Sequence, residues 1–266
     1  MEIDLLIERD IMSDKDTANG KDKTVKDGLS LLMKFGKKGD LESLQCGTVY
    51  MKNLQYYIDL EKATDDEDVG DEFDGLMPIN DVVLSIHTTD TQELITQFKT
   101  ANVTMNLGYC KCPVFCVFML DYSNHTKETL VGDKLTVRYD FSDEQRQRFH
   151  SFGDHVLLIT NTDEFLARLK KGFLGAGISF TRNHVNYYDG NTSQHIQDVQ
   201  KDNSRIAFWK RSKYSYQQEY RILAFESDVD DFLSVDIGDI SDITKLESTE
   251  SILNTFIEIT YTVTSK

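Results

Sequence analysis

The chain has 266 residues, with 29 Lys and Arg against 45 Asp and Glu and a formal charge of −16. That length suffices for a substantial hydrophobic core, and 39% apolar residues with 15 Phe and 12 Tyr exclude a wholly disordered chain. The acidic balance argues against gripping nucleic acid by its phosphates, so direct nucleic-acid binding is not expected.

In chain order, residues 3–8 read as an apolar strand with no basic region before it, which is unlike a signal peptide. No apolar run approaches the roughly 20 residues needed to span a bilayer. A soluble, cytoplasmic protein without membrane contact is the expectation. Residues 13–28 read as an exposed loop and Leu29–Phe35 as an apolar segment. Asp40 is a plausible N-cap for a short helix to Gln45, followed by a strand from Thr48 and a helix through Leu54, Tyr57, Ile58 and Glu61. A loop spans about 63–80, and Val82–Ile86 reads as a strand.

Residues 113–121, rich in Val and Phe, predict a buried central strand. Leu135–Tyr139 alternates as a strand does, Ser142 caps a helix, and His155–Thr160 is a further buried strand. Thr162 or Asp163 caps a helix ending near Gly172. Residues 178–188 read as one or two strands, 189–204 as a polar loop, Tyr214–Phe225 as the longest strand and Phe256–Val263 as the last. Strands and short helices alternate without a regular βαβ period. The expected fold is therefore one α+β domain over residues 1–266, with mixed, largely antiparallel sheets and exposed loops near 13–28, 63–80 and 189–204.

The charge is local. Residues 65–74 carry seven acids and no base, and residues 226–250 carry nine acids against Lys245 alone, so the two stretches hold fifteen of the sixteen excess negative charges. Two readings compete: solvated faces, or surfaces that dock on a basic protein partner. The second assigns partner binding to Asp65, Asp66, Glu67, Asp68, Asp71 and Glu72, together with Asp228, Asp230 and Asp231.

No metal site is expected. Cys110, Cys112 and Cys116 sit in an apolar strand context that suits small buried side chains, and His150, His155, His184 and His195 lack metal-ligand spacing. The segment Phe208 to Leu223 is richer in possibilities. An extended backbone there places Tyr214, Tyr216, Gln218 and Tyr220 on one face and Gln217, Glu219 and Arg221 on the other. That polar row either pairs with charges on neighbouring strands or lines a cleft.

Three pieces of the chain resemble a poorly characterised bacterial and phage protein family of unknown function. They are Lys34-Phe35 with Gly47-Thr48-Val49-Tyr50-Met51-Lys52-Asn53-Leu54-Gln55-Tyr56-Tyr57; Gly70-Asp71-Glu72-Phe73-Asp74-Gly75; and Phe208, Lys210, Tyr214 and Gln217-Gln218-Glu219-Tyr220-Arg221. The resemblance implies a compact α+β domain and no secure activity. With the acidic stretches, it frames an expectation of an interaction or inhibitor protein of phage–bacterium conflict, in defence or anti-defence, that needs no cofactor.

A second resemblance is to ADP-ribosyltransferases of the Arg–Ser–Glu type. It rests on Gln217-Gln218-Glu219, on Ser179-Phe180-Thr181 and on Arg138 within Val137-Arg138-Tyr139. It implies an enzyme using NAD, with Glu219 and Gln217 at the ribosyl centre. Ser179 would orient Glu219, and Arg138 would hold the pyrophosphate.

Overall fold

The computed structural model of the protein describes residues 30–64, 68–99, 103–190, 193–225 and 227–262. The strand expected at 3–8 and the loop at 13–28 lie outside them. Eight strands form the main sheet: β1 (Ser30–Gly36), β2 (Thr48–Asn53), β3 (Pro113–Asp121), β4 (His155–Ile159), β5 (Ser179–His184), β6 (Glu219–Phe225), β7 (Phe232–Asp236) and β8 (Thr244–Ser248). Among the described residues the α-helices are α1 (Lys38–Gln45), α2 (Leu54–Thr64), α3 (Asp143–Arg148), α4 (Thr162–Gly175), α5 (Ser193–Lys201) and α6 (Thr249–Leu253). This is an α+β fold, with antiparallel pairing throughout the main sheet.

Strand β3 organises the sheet. One edge pairs with β6, which pairs with β5. The other edge is shared: Phe118–Asp121 pair with β1, whereas Pro113 and Val114 pair with β2. From there β1 continues to β4 and β8, and β2 continues to β7. The sheet therefore forks beside Phe115–Val117, the stretch of β3 that pairs with neither β1 nor β2.

Both faces of the sheet are covered, which explains why its inner strands read as continuous apolar runs. Leu32, Phe115, Val117, Leu157, Ile159 and Ile222 pack against Leu41 and Leu44 of α1 and Phe165, Leu169 and Phe173 of α4. On the opposite face, Met33, Phe35, Phe118, Leu120 and Val156 meet Leu135, Val137 and Tyr139 of a second sheet, with Phe149, Tyr214 and Tyr216. That second sheet is built from Lys127–Val131, Lys134–Asp140 and Phe256–Thr262.

Several expectations need correction. Helix α1 begins at Lys38 rather than behind an Asp40 cap, and α4 is capped by the side chain of Asn161 rather than Thr162 or Asp163. Ser142 does cap α3, in a reciprocal arrangement with Gln145. The polar stretch 189–204 contains α5, and the stretch 63–80 contains a strand at Leu76–Ile79. The long strand expected at 214–225 starts only at Glu219. Residues Ser212–Gln217 form a 3-10 helical turn, and Gln218 takes a left-handed backbone with φ 40°. The alternation of faces expected before Glu219 is accordingly lost. No helix among the described residues is long and apolar enough to cross a membrane.

Candidate functional site

The fork opens into a cleft of about 600 Å³. Its walls come from β1 and the start of α1, from β2 and α2, from β3, and from β6 with the turn before it. All three sequence segments quoted above contribute: Lys34, Tyr50, Tyr56 and Tyr57 from the first, Asp74 from the second, and Lys210, Gln217, Glu219 and Arg221 from the third.

Charged groups form the floor. Arg221 is 1% exposed, and its guanidinium makes a two-pronged contact with Asp74 at 2.6 and 2.9 Å. Its Nε donates to Glu219 Oε2 at 2.6 Å, and Nη1 also reaches the Ala207 carbonyl at 2.7 Å. Lys210 Nζ donates to the other Glu219 oxygen at 2.8 Å and to Gln217 Oε1 at 2.6 Å. Both carboxylate oxygens of Glu219 are thus engaged by cations. Burial alone would raise the Glu219 pKa, but Arg221 and Lys210 outweigh it and hold the carboxyl well below the usual range. Glu219 is an ionised counter-ion, saturated by its own neighbours.

Lys34 is different. It projects into the fork, where its Nζ donates to the Cys116 carbonyl oxygen at 2.7 Å and stands 5.0 Å from the centre of the Phe115 ring. This lysine thereby occupies the edge of β3 that no strand covers, satisfying a carbonyl left over by the fork. Among the described residues no carboxylate forms an ion pair with it. Burial lowers its pKa, opposed by the neighbouring Cys116 and Glu219. Three cations, Lys34, Lys210 and Arg221, therefore face two carboxylates, Glu219 and Asp74, across the cleft floor. Burial pushes the Cys116 thiol up to about 12, with Glu219 adding to the effect, which leaves it protonated and a poor nucleophile.

The acidic stretch 68–74 straps this floor from outside. Asp68 pairs with Arg148 at 2.9 Å, and its main-chain oxygen accepts from Gln217 at 2.6 Å and from the Tyr216 hydroxyl at 3.1 Å. Asp71, fully buried, accepts from Arg211 at 2.7 and 3.0 Å, and Glu72 pairs with the same guanidinium at 3.1 Å. Glu61 of α2 completes the cluster through Arg211 and Lys213. The strap lies so close to α2 that a Cβ on Gly70 would stand 2.5 Å from the Glu61 nitrogen, so only glycine fits there.

The sequence-predicted residues are dispersed. Glu219 and Gln217 line the cleft. Ser179 sits opposite Phe225, six residues along β6 from Glu219, a separation of roughly 20 Å at strand rise. Arg138 lies in the second sheet, clamped to Asp140 at 2.6–3.1 Å and packed on Phe256 with 3.7 Å from Cζ to the ring centre. Arg138, Ser179 and Glu219 do not meet, and Gln217 is not on a strand with Glu219.

Of the residues the sequence assigns to partner binding, Asp68, Asp71 and Glu72 pair as above, while Asp230 meets Lys111 at 2.8 Å and Asp231 meets Lys52, both at the exposed surface. Asp228 accepts a long contact of 3.8 Å from the Cys112 thiol. Asp65, Asp66 and Glu67 lie outside the described residues. Among the described residues no group of three or more His, Cys, Asp or Glu side chains is arranged to hold a metal ion.

Sequence reasoning did not single out Lys34, Lys210 or Asp74 as site residues. A lysine inside the apolar run Leu31-Leu32-Met33-Lys34-Phe35 was the available signal, because a charge seldom enters a buried strand without a task. No protein-family model, no curated protein and no solved structure matches the chain.

Proposed function

We propose that the cleft is a binding site for a small anionic ligand whose charge docks beside Lys34. The observation that carries this reading is the state of that lysine. A half-buried ammonium at the cleft floor has a carbonyl oxygen and an aromatic ring for company but no paired carboxylate among the described residues, while Lys210 and Arg221 nearby are both neutralised. An incoming carboxylate or phosphate would relieve the burial cost of Lys34 and make a charge-assisted hydrogen bond in a partly desolvated setting. The dimensions suit a small molecule, since ligand pockets commonly run to several hundred Å³.

In this reading Glu219 is a structural counter-ion that holds Lys210 and Arg221 in place, and the strap 68–74 fixes the wall of the cleft. Binding of anionic ligands by acidic surfaces is disfavoured, so the cleft provides a local exception on a chain of charge −16. Calorimetric titration with inorganic phosphate and pyrophosphate provides the test. The wild type and Lys34→Arg bind with measurable heat, whereas Lys34→Met, confirmed as folded by circular dichroism, loses affinity at least tenfold. Equal affinity in the wild type and Lys34→Met would remove the proposal.

A further inference from the structure

The mouth of the same cleft carries a feature that an anion alone does not require. Tyr50 and Lys52 share the outward face of β2, while Val49 and Met51 point into the core. The β2–β7 register sets Phe232 opposite Lys52, which makes it the diagonal neighbour of Tyr50. The two rings stack with centres 4.9 Å apart and planes at 27°. Tyr56, from the first turn of α2, closes the group. The Lys52 ammonium lies 5.0 Å from the Tyr56 ring centre, 5.7 Å from Tyr50 and 5.9 Å from Phe232.

These rings are 48%, 41% and 48% exposed for Tyr50, Tyr56 and Phe232, whereas Tyr214, Phe208 and Phe165 are buried in the core. Tyr50, Lys52 and Tyr56 line the cleft together with Lys34. An exposed aromatic shelf holding a cation, continuous with a cationic floor, matches a ligand that has a flat ring at one end and an anion at the other.

Resting on the anion reading above, we infer that the ligand is a mononucleotide, with its base stacked on the Tyr50–Phe232 shelf and its phosphate at Lys34. Base stacking on aromatic side chains needs no particular base, only a π-face. A nucleic-acid strand fits less well. A polymer needs a cationic track for successive phosphates, and here the cleft lining adds only Lys37 and Lys52 to the floor, where Asp231 matches Lys52 and Asp40 lines the same wall, on a strongly acidic chain. One excess positive charge on the floor suits a single phosphate group.

The experiment is a calorimetric comparison of AMP, UMP, ribose 5-phosphate and a single-stranded oligo-dA on the full chain. The proteins are the wild type, the Tyr50→Ala/Phe232→Ala double variant and Lys34→Met. Both shelf residues are half exposed, so the double variant retains the core, and Tyr50→Trp serves as a control that keeps a ring. AMP and UMP are expected to bind about tenfold or more tighter than ribose 5-phosphate, the size of effect that base–aromatic stacking confers. The double variant brings the nucleotides down to the sugar phosphate, Tyr50→Trp keeps the difference, and Lys34→Met weakens all three. Equal wild-type affinity for AMP and ribose 5-phosphate overturns the nucleotide assignment and leaves the anion site standing. Absence of binding by every phosphate overturns both. An oligonucleotide that outcompetes AMP at equal nucleotide concentration overturns the mononucleotide and replaces it with a strand.

Discussion

The two acidic stretches carry similar charge and have opposite fates. In the first, Asp71 and Asp74 are fully buried and Asp68 is partly so; all three are tied to arginines at 2.6–3.0 Å. In the second, Asp230, Asp231, Asp239 and Asp242 stay in solvent, and their contacts with Lys111, Lys52, Ser241 and Arg168 are surface pairs. Acid content is the same kind of sequence signal in both places. What separates them is whether the opposing cations lie under the strap, as Arg211 and Arg221 do, or beside the chain at the surface. A buried carboxylate has lost its water and depends on its partner; an exposed one is solvated with or without it.

The sharpest way to break this contrast is to remove one half of the Arg221–Asp74 pair. Arg221→Met or Asp74→Leu alone is expected to lower the unfolding free energy by about 3–5 kcal/mol in a denaturant titration, because each leaves a buried charge uncompensated. The double variant should cost less than the larger of the single ones. If the singles behave like surface substitutions, the strap is not structural.

Among the groups that make stability fall as the pH drops, His195 and Glu219 are buried and act in different windows. His195 is fully buried, stacked on Trp209 at 4.9 Å, and burial lowers its pKa to about 4 despite the opposing charge of Asp198. An unfolded histidine titrates near 6.5, so the unfolded chain takes up the proton first. The stability that neutral His195 confers is intact above about pH 6.5 and is lost on acidification toward pH 4, by up to about 3 kcal/mol. Glu219 has a folded pKa held below that of an unfolded glutamate near 4.3, so its contribution is complete above that value and erodes as the pH falls through it. Denaturation midpoints measured from pH 8 to 3.5 should show the first loss disappear in His195→Phe. The second should be reduced in Glu219→Gln, with Glu61 and Asp140 supplying what remains.

Gly70→Ala tests the contact between strap and helix. The added Cβ meets main chain rather than a flexible side-chain end, so the strap must shift, at a cost of about 1–3 kcal/mol. The smallest effects belong to the second stretch: Asp230→Asn and Asp242→Asn should leave the midpoint unchanged within error. A substantial loss there would place the exposed pairs on the same footing as the buried ones.

Much of the scaffold was legible because its signals are local. The apolar run 113–121 is the central strand itself, Ser142 is a working cap, and the one or two strands expected at 178–188 are two, Ser179–His184 and Asn186–Tyr188. The misreading at 214–218 has a clear cause. Tyr214-Ser215-Tyr216-Gln217 alternates in polarity as a strand does, yet both tyrosines are buried from a 3-10 turn that ends at left-handed Gln218. Helix α5 was hidden by its polarity, although His195 and Val199 carry the four-residue spacing of a buried helix face. The site was legible in pieces only. Glu219 and Gln217 stood out as a polar row within the strand expected at 214–225, but the fork that seats Lys34 depends on which strands share the edge of β3. No local pattern encodes that long-range pairing.

Lys34 itself offers the most direct test of the account. The ε-carbon resonances of labelled lysines, followed through a pH titration with and without saturating AMP, report its protonation, with Lys34→Arg identifying the signal. The Lys34 amine is expected to titrate below ordinary lysine in the free protein and to move upward when the phosphate binds. A Lys34 that titrates like a surface lysine and does not respond to AMP would contradict it.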